Sequence, residues 1–173
     1  MIKNIIKYGI IAGIIVSILM LLSARSGGMT SAYGELIGYS GMVAAFSMIF
    51  VGIKKFRDSH PTGKVPFLHS LLMGLGISLI ATIFYAVTWG FIDGFTGGQF
   101  IDQYISAELT RLEESGATAE QVANKAKEMN SYRVYYQNPI LKMLITCLEI
   151  FPVGILVSLT SAFIFWIKDR KTV

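Results

Sequence analysis

Four stretches of this chain are each long and apolar enough to cross a bilayer, and every other reading follows from them. A spanning helix needs about 20 mainly apolar residues. The stretches run over about 5–23, 33–53, 66–91 and 139–167. Lys3 and Lys7 precede the first and Arg25 follows it, while Lys54-Lys55-Phe56-Arg57 stops the second. Pro66 opens the third, which carries Tyr85, Trp89 and Phe91 near its end. Asn138-Pro139 opens the fourth, with Asn as N-cap and Pro at the first helical position, and Lys168-Asp169-Arg170-Lys171 closes it. Composition agrees: 53% of the residues are hydrophobic and 15% are charged, against about 25% charged in a typical soluble domain. The first apolar region, about 18 residues long, exceeds the 7–15 of a secretory signal, so a retained helix is expected.

The predicted fold is therefore all-α: one polytopic membrane domain over 1–173, with four transmembrane helices and an extracytoplasmic αα-hairpin between the third and fourth. Orientation follows from Lys and Arg. Lys3, Lys7, Lys54, Lys55, Arg57, Lys64, Lys168, Arg170 and Lys171 crowd the short segments on one side. Arg25, Arg111, Lys125, Lys127, Arg133 and Lys142 are spread over the longer segments opposite. The dense side reads as cytoplasmic, which puts both termini inside a cell inner membrane.

Residues 92–138 form the one sizeable segment outside the membrane. A glycine-rich exit, Asp93 to Gly98, leads to a helical pattern from about Gln99 to Ser115 with Ile101, Tyr104, Ile105, Leu109 and Leu112 on one face. Gly116 reads as its C-cap. Thr118 and Gln121 form a capping-box pattern that starts a second helix striped by Val122, Ala126, Met129, Tyr132 and Tyr136. The hairpin, over about 99–136, reads either as a cover on the bundle mouth and lipid surface or as a docking surface for a membrane or periplasmic protein.

Lipid gives no hydrophobic drive between helices, so small residues that let backbones approach carry the packing. Each span holds such residues at spacing four: Gly9, Gly13, Ser17; Gly34, Gly38, with Ser40 and Ala44 beside them; Ser70, Gly74, Ser78, Thr82; and Gly154, Ser158, Ala162. These ladders serve internal packing, or in one case a homo-oligomer. The third and fourth spans exceed a bilayer's need, which predicts tilt or projection beyond the outer leaflet; projection is expected, because Lys142 interrupts the outer end of the fourth.

Charges at membrane depth are costly and invite a functional reading. Glu149 lies 19 residues from Lys168, Glu35 lies 19 from Lys54, and Arg25 lies 18 from Lys7, which is roughly 27–28 Å of helix in each case. Tyr85 and Trp89 reach the same level. Arg25, Glu35, Tyr85, Trp89 and Glu149 thus form a candidate outer polar layer. One reading is an ion pair between Arg25 and a carboxylate, with Tyr85 and Trp89 as interfacial anchors. The other is a site for a proton, a cation or a lipid headgroup. On the inner side Lys54, Lys55, Arg57 and Lys64 are candidate headgroup contacts, at about 1 kcal/mol per basic residue. Pro152 removes the hydrogen bond that would reach the carbonyl of Leu148.

One cysteine, Cys147, and two histidines, His60 and His69, leave no metal constellation. GxSxG, HExxH and GxxxxGK[ST] are absent. No catalytic residue, cofactor or metal is expected, and the net charge of +4 belongs to membrane flanks rather than to a nucleic-acid face.

Gly52-Ile53-Lys54-Lys55-Phe56-Arg57-Asp58, the loop with Gly63, a long third span ending in Tyr85 and Trp89, the glutamate-rich insertion, Asn138-Pro139 and Glu149-Ile150-Phe151-Pro152-Val153-Gly154 together resemble an uncharacterised family of bacterial four-span membrane proteins, domain of unknown function 4199. The resemblance implies the architecture and an inner-membrane location and carries over no activity and no site residue. Two functions stay open: a non-enzymatic membrane interaction or accessory module, and a small-solute, ion or lipid transporter or pore component using the outer layer.

Overall fold

The computed structural model describes residues 1–25 and 33–171. Six helices follow one another: α1 (Ile2–Arg25), α2 (Gly34–Asp58), α3 (Phe67–Phe95), α4 (Phe100–Glu114), α5 (Ala119–Gln137) and α6 (Pro139–Lys171). α1, α2, α3 and α6 are long and apolar enough to cross a membrane, and the chain is an integral, multi-pass membrane protein of all-α fold.

The four long helices form a ring in the order α1–α2–α6–α3, with α2 and α3 touching across the shorter diagonal and α1 and α6 at opposite corners. Small residues set this order. Along α1, a side chain at Gly9 would stand 2.8 Å from Ile80 Cβ and one at Gly13 would stand 2.5 Å from Phe84 Cγ. Along α3, Gly76 admits Ile5 in the same way. Thr88 then donates to Ser17 at 2.7 Å. The paired residues keep one offset of 71 positions, so α1 and α3 run parallel with notch against knob. The seam between α3 and α6 is antiparallel: Gly74 faces Ser158, Gly154 faces Ser78, and the two hydroxyls lie 3.3 Å apart. Phe46, Ile49, Ile53, Met73, Ile77 and Ile150 fill the centre and are fully buried.

The ladders of α1, α3 and α6 are thus used inside the bundle. The α2 ladder is not, since Gly38 has no atom within 4 Å of where a side chain would begin.

Local signals hold at the element ends. Asn138 Oδ1 accepts from the backbone of Ile140 at 3.0 Å and of Leu141 at 3.3 Å, and Pro139 opens α6. Thr118 and Gln121 close their capping box reciprocally. Gly116 takes φ +84°, a left-handed turn that glycine enters without strain. Ile101, Ile105 and Met129 form a small core between α4 and α5, with Tyr104, Leu109 and Tyr136 packed on it.

Three details depart from the sequence reading. Asp93, Gly94 and Phe95 belong to α3, not to an irregular exit; the turn comes at Gly97 and Gly98, both with positive φ. Tyr132 leaves the hairpin core and is exposed beside Val134 and Tyr135. Pro66 stands just before α3 as its N-cap and is not itself helical.

Candidate functional site

The polar side chains near the hairpin end of the bundle come from four helices. On α3, Tyr85, Trp89 and Asp93 follow one another at i, i+4 and i+8, a spacing that stacks side chains on one face. All three are buried. α6 opposes them with Lys142 and Glu149, two turns apart, and Thr146 between them donates to the Lys142 carbonyl at 2.9 Å. The Tyr85 hydroxyl lies near the Glu149 carboxylate. One level farther out, the Lys142 ammonium donates to Asp93 Oδ2 in an ion pair whose carboxylate is buried and whose ammonium is partly buried.

Aromatic rings close the level of Trp89. The Phe100 ring meets Trp89 edge to face at 4.4 Å, and Tyr104 stacks on Phe100 at 6.1 Å. Tyr136 of α5 packs on this group. Burial, first, and then the negative charges of Glu149 and Asp93 and the neighbouring Tyr104 push its hydroxyl up to about 12. The hairpin is thereby fastened to α3 and α6.

The candidate polar layer is assembled only in part. Tyr85 and Glu149 meet, and Trp89 sits one turn beyond them. Arg25 is exposed at the last residue of α1, and no ion pair between Arg25 and Glu149 occurs among the described residues. The reason is azimuth: α1 and α6 stand at opposite corners of the ring, so equal depth does not make them neighbours. The side chain of Glu35 lies outside the described residues.

The opposite end holds a second ion pair. Arg57 Nε donates to Asp169 Oδ1 at 2.6 Å, and the backbone N–H of Val65 donates to Asp169 Oδ2 at 3.1 Å. One carboxylate near the end of α6 thus ties the end of α2 to the approach of α3. The Arg57 guanidinium also lies 5.8 Å from the Phe165 ring centre. Of the four basic residues expected to meet headgroups, Lys54, Lys55 and Lys64 are exposed, while Arg57 is partly buried in this clasp.

Sequence reasoning missed Asp93, Lys142 as its partner, and Asp169. The i, i+4, i+8 run Tyr85–Trp89–Asp93 was the available signal for the first; nothing local announces the other two. Among the described residues no three His, Cys, Asp or Glu side chains are grouped to hold a metal ion.

A family model described as "Protein of unknown function (DUF4199)" matches residues 7–166. The chain belongs to this family. The matched DUF4199 region takes in α2, α3 and the hairpin whole, most of α1 and α6, and both ion pairs except Asp169. No curated protein and no solved structure matches the chain.

Proposed function

We propose that this DUF4199 protein is a non-enzymatic interaction module of the bacterial inner membrane that presents the α4–α5 hairpin to a protein partner on the extracytoplasmic side, both termini being cytoplasmic. The observation that carries the reading is the mounting of the hairpin. Its base is held to the bundle by the Trp89–Phe100 contact and by Tyr136 packed on the core, and the Asp93–Lys142 pair joins the ends of α3 and α6 from which it springs. Its far end is exposed, with a shallow recess between Leu112, Ala117, Gln121 and Lys125 at the elbow. A rigidly held, exposed element limits the entropy lost on association. The filled centre of the bundle speaks against a solute path, which needs a polar, hydrated lining.

Photo-cross-linking in native membranes tests this. A photoreactive residue at Gln121 or Asn124 should capture one partner in near-stoichiometric yield, and one at Leu79, on the exposed face of α3, should not. Capture of lipid alone from all three positions refutes the reading.

A further inference from the structure

Three buried polar atoms among the described residues have no hydrogen-bond partner: Ser70 Oγ, Thr82 Oγ1 and Trp89 Nε1. All three lie on α3, on the face that carries Gly74 and Ser78 against α6. An orphaned buried donor costs roughly 1–3 kcal/mol in a soluble protein, and a hydrocarbon surround offers it no water from outside. Serine and threonine in a helix ordinarily donate to the carbonyl four residues back, as Ser78 and Ser158 do here. Ser70 and Thr82 do not. Internal water is the ordinary partner of such groups.

Two of the orphans, Thr82 and Ser70, are spaced along a line. From the hairpin end it passes Glu149 with Tyr85, then Thr82, then the touching hydroxyls of Ser78 and Ser158 at 3.3 Å. It continues to Ser70, one turn inside the start of α3, and reaches the level of Asp169 beside Val65. Thr82 and Ser78 are four residues apart, as are the levels of Ser158 and Ser70, so each gap rises about 6 Å. One water joined by two O–H···O bonds of about 2.8 Å spans nearly that distance.

We propose that water completes the α3–α6 seam into a proton path across the membrane, between Glu149 at the hairpin end and the water beside Asp169 at the other. Each oxygen along it accepts one proton and passes on another, the Ser78 and Ser158 hydroxyls turning away from the Gly74 and Gly154 carbonyls to do so, so no group is consumed and only charge moves. Nothing larger follows, because a side chain at Gly74 would stand 2.7 Å from Ser158 Oγ, which leaves no bore for a hydrated ion. This inference is independent of the hairpin reading: cross-linking can fail while conduction holds, and the reverse.

The test is proton flux into liposomes reconstituted with the full chain, read by a trapped pH dye under a valinomycin–potassium potential. Flux should exceed that of protein-free liposomes. Thr82→Val, which removes a hydroxyl that bonds to nothing and keeps its shape, should lower flux at least tenfold while the thermal midpoint in detergent holds. Ser158→Ala should lower it as much, and it decides the matter alone if Thr82→Val does not fold. Ser47→Ala, on the exposed face of α2, should conduct like the parent. Wild-type flux no greater than in protein-free liposomes, or full flux in the folded Thr82→Val and Ser158→Ala proteins, overturns the proposal.

Discussion

The two ion pairs that matter to this bundle join side chains far apart in sequence, and their worth depends on water. Asp93 is buried and Lys142 partly so, so removing the cation alone strands a buried carboxylate; breaking a fully buried pair costs about 3–5 kcal/mol, and this pair stands toward the lower end. Lys142→Ala should therefore lower the thermal midpoint in detergent markedly. The double variant Lys142→Gln with Asp93→Asn should recover most of the loss. Lys125→Ala, which breaks the exposed Lys125–Glu128 pair, should cost at most about 1 kcal/mol. Tyr136 gives a second test. Its folded pKa is raised to about 12 from the ordinary 10.0 of a tyrosine hydroxyl, so its contribution to stability is whole below about pH 10. It is lost as pH rises through 12, because the unfolded phenol ionises first. Tyrosinate absorbance should accordingly show a late-titrating phenol in the wild type that Tyr136→Phe removes. An unchanged titration curve would contradict the burial of this hydroxyl. None of these pairings was visible in the chain. The Asp93–Lys142 contact spans 49 positions, and Asp93 reads locally as the start of a glycine-rich turn. Depth along a helix can be counted from an anchor, and for Glu149 and Arg25 the counts, 19 and 18 residues, nearly agree; which corner of the ring each helix occupies cannot be counted.

Helix boundaries were more legible than neighbours, because caps are local chemistry. Asn138 and Thr118 announce α6 and α5 by the acceptors they offer to orphan N–H groups, and the structure uses both. The small-residue ladders were legible as ladders and not as partners: nothing in the chain says that Gly13 receives Phe84 while Gly38 receives nothing. That difference predicts opposite outcomes for one chemical change. Gly13→Ala places a methyl 2.5 Å from Phe84 Cγ, a distance at which the ring must move, and it should destabilise the protein by roughly 1–3 kcal/mol as overpacking does. Gly38→Ala meets open space and should be neutral or stabilising by up to about 1 kcal/mol through helix propensity. Thermal midpoints in one detergent decide both. Equal losses at the two sites would mean that α2 is packed against something at Gly38.

At the scale of the whole molecule, four spans return both ends of the chain to the side that also holds the α2–α3 turn, with the hairpin opposite. In a Cys147→Ser background, a cysteine at Ser115 and one at Ser59 should therefore differ in reaction with an impermeant thiol reagent. We expect labelling at 115 and protection at 59 in intact spheroplasts; the reverse would invert the orientation drawn from Lys and Arg, and labelling at neither would refute exposure of the hairpin. The apolar surface is also taller on one half of the bundle. Exposed large apolar residues run from Ile2 to Leu22 on α1 but from Leu68 to Phe95 on α3, roughly 30 Å against 40 Å of helix. A hydrocarbon layer of about 30 Å suits the first, and tilt or local thickening accommodates the second.

The constant offset between α1 and α3 has a bearing on how the protein is made. The notches at Gly9 and Gly13 are filled by Ile80 and Phe84, which lie beyond the whole of α2. A ribosome that has delivered the first two helices has delivered a half-built wall with its recesses empty. Final seating of α1 must wait for the third helix to enter the bilayer, so the earliest inserted segment is among the last to be locked. A nascent chain arrested after residue 60 should keep α1 open to lipid and to the insertion machinery, and one released after residue 95 should not.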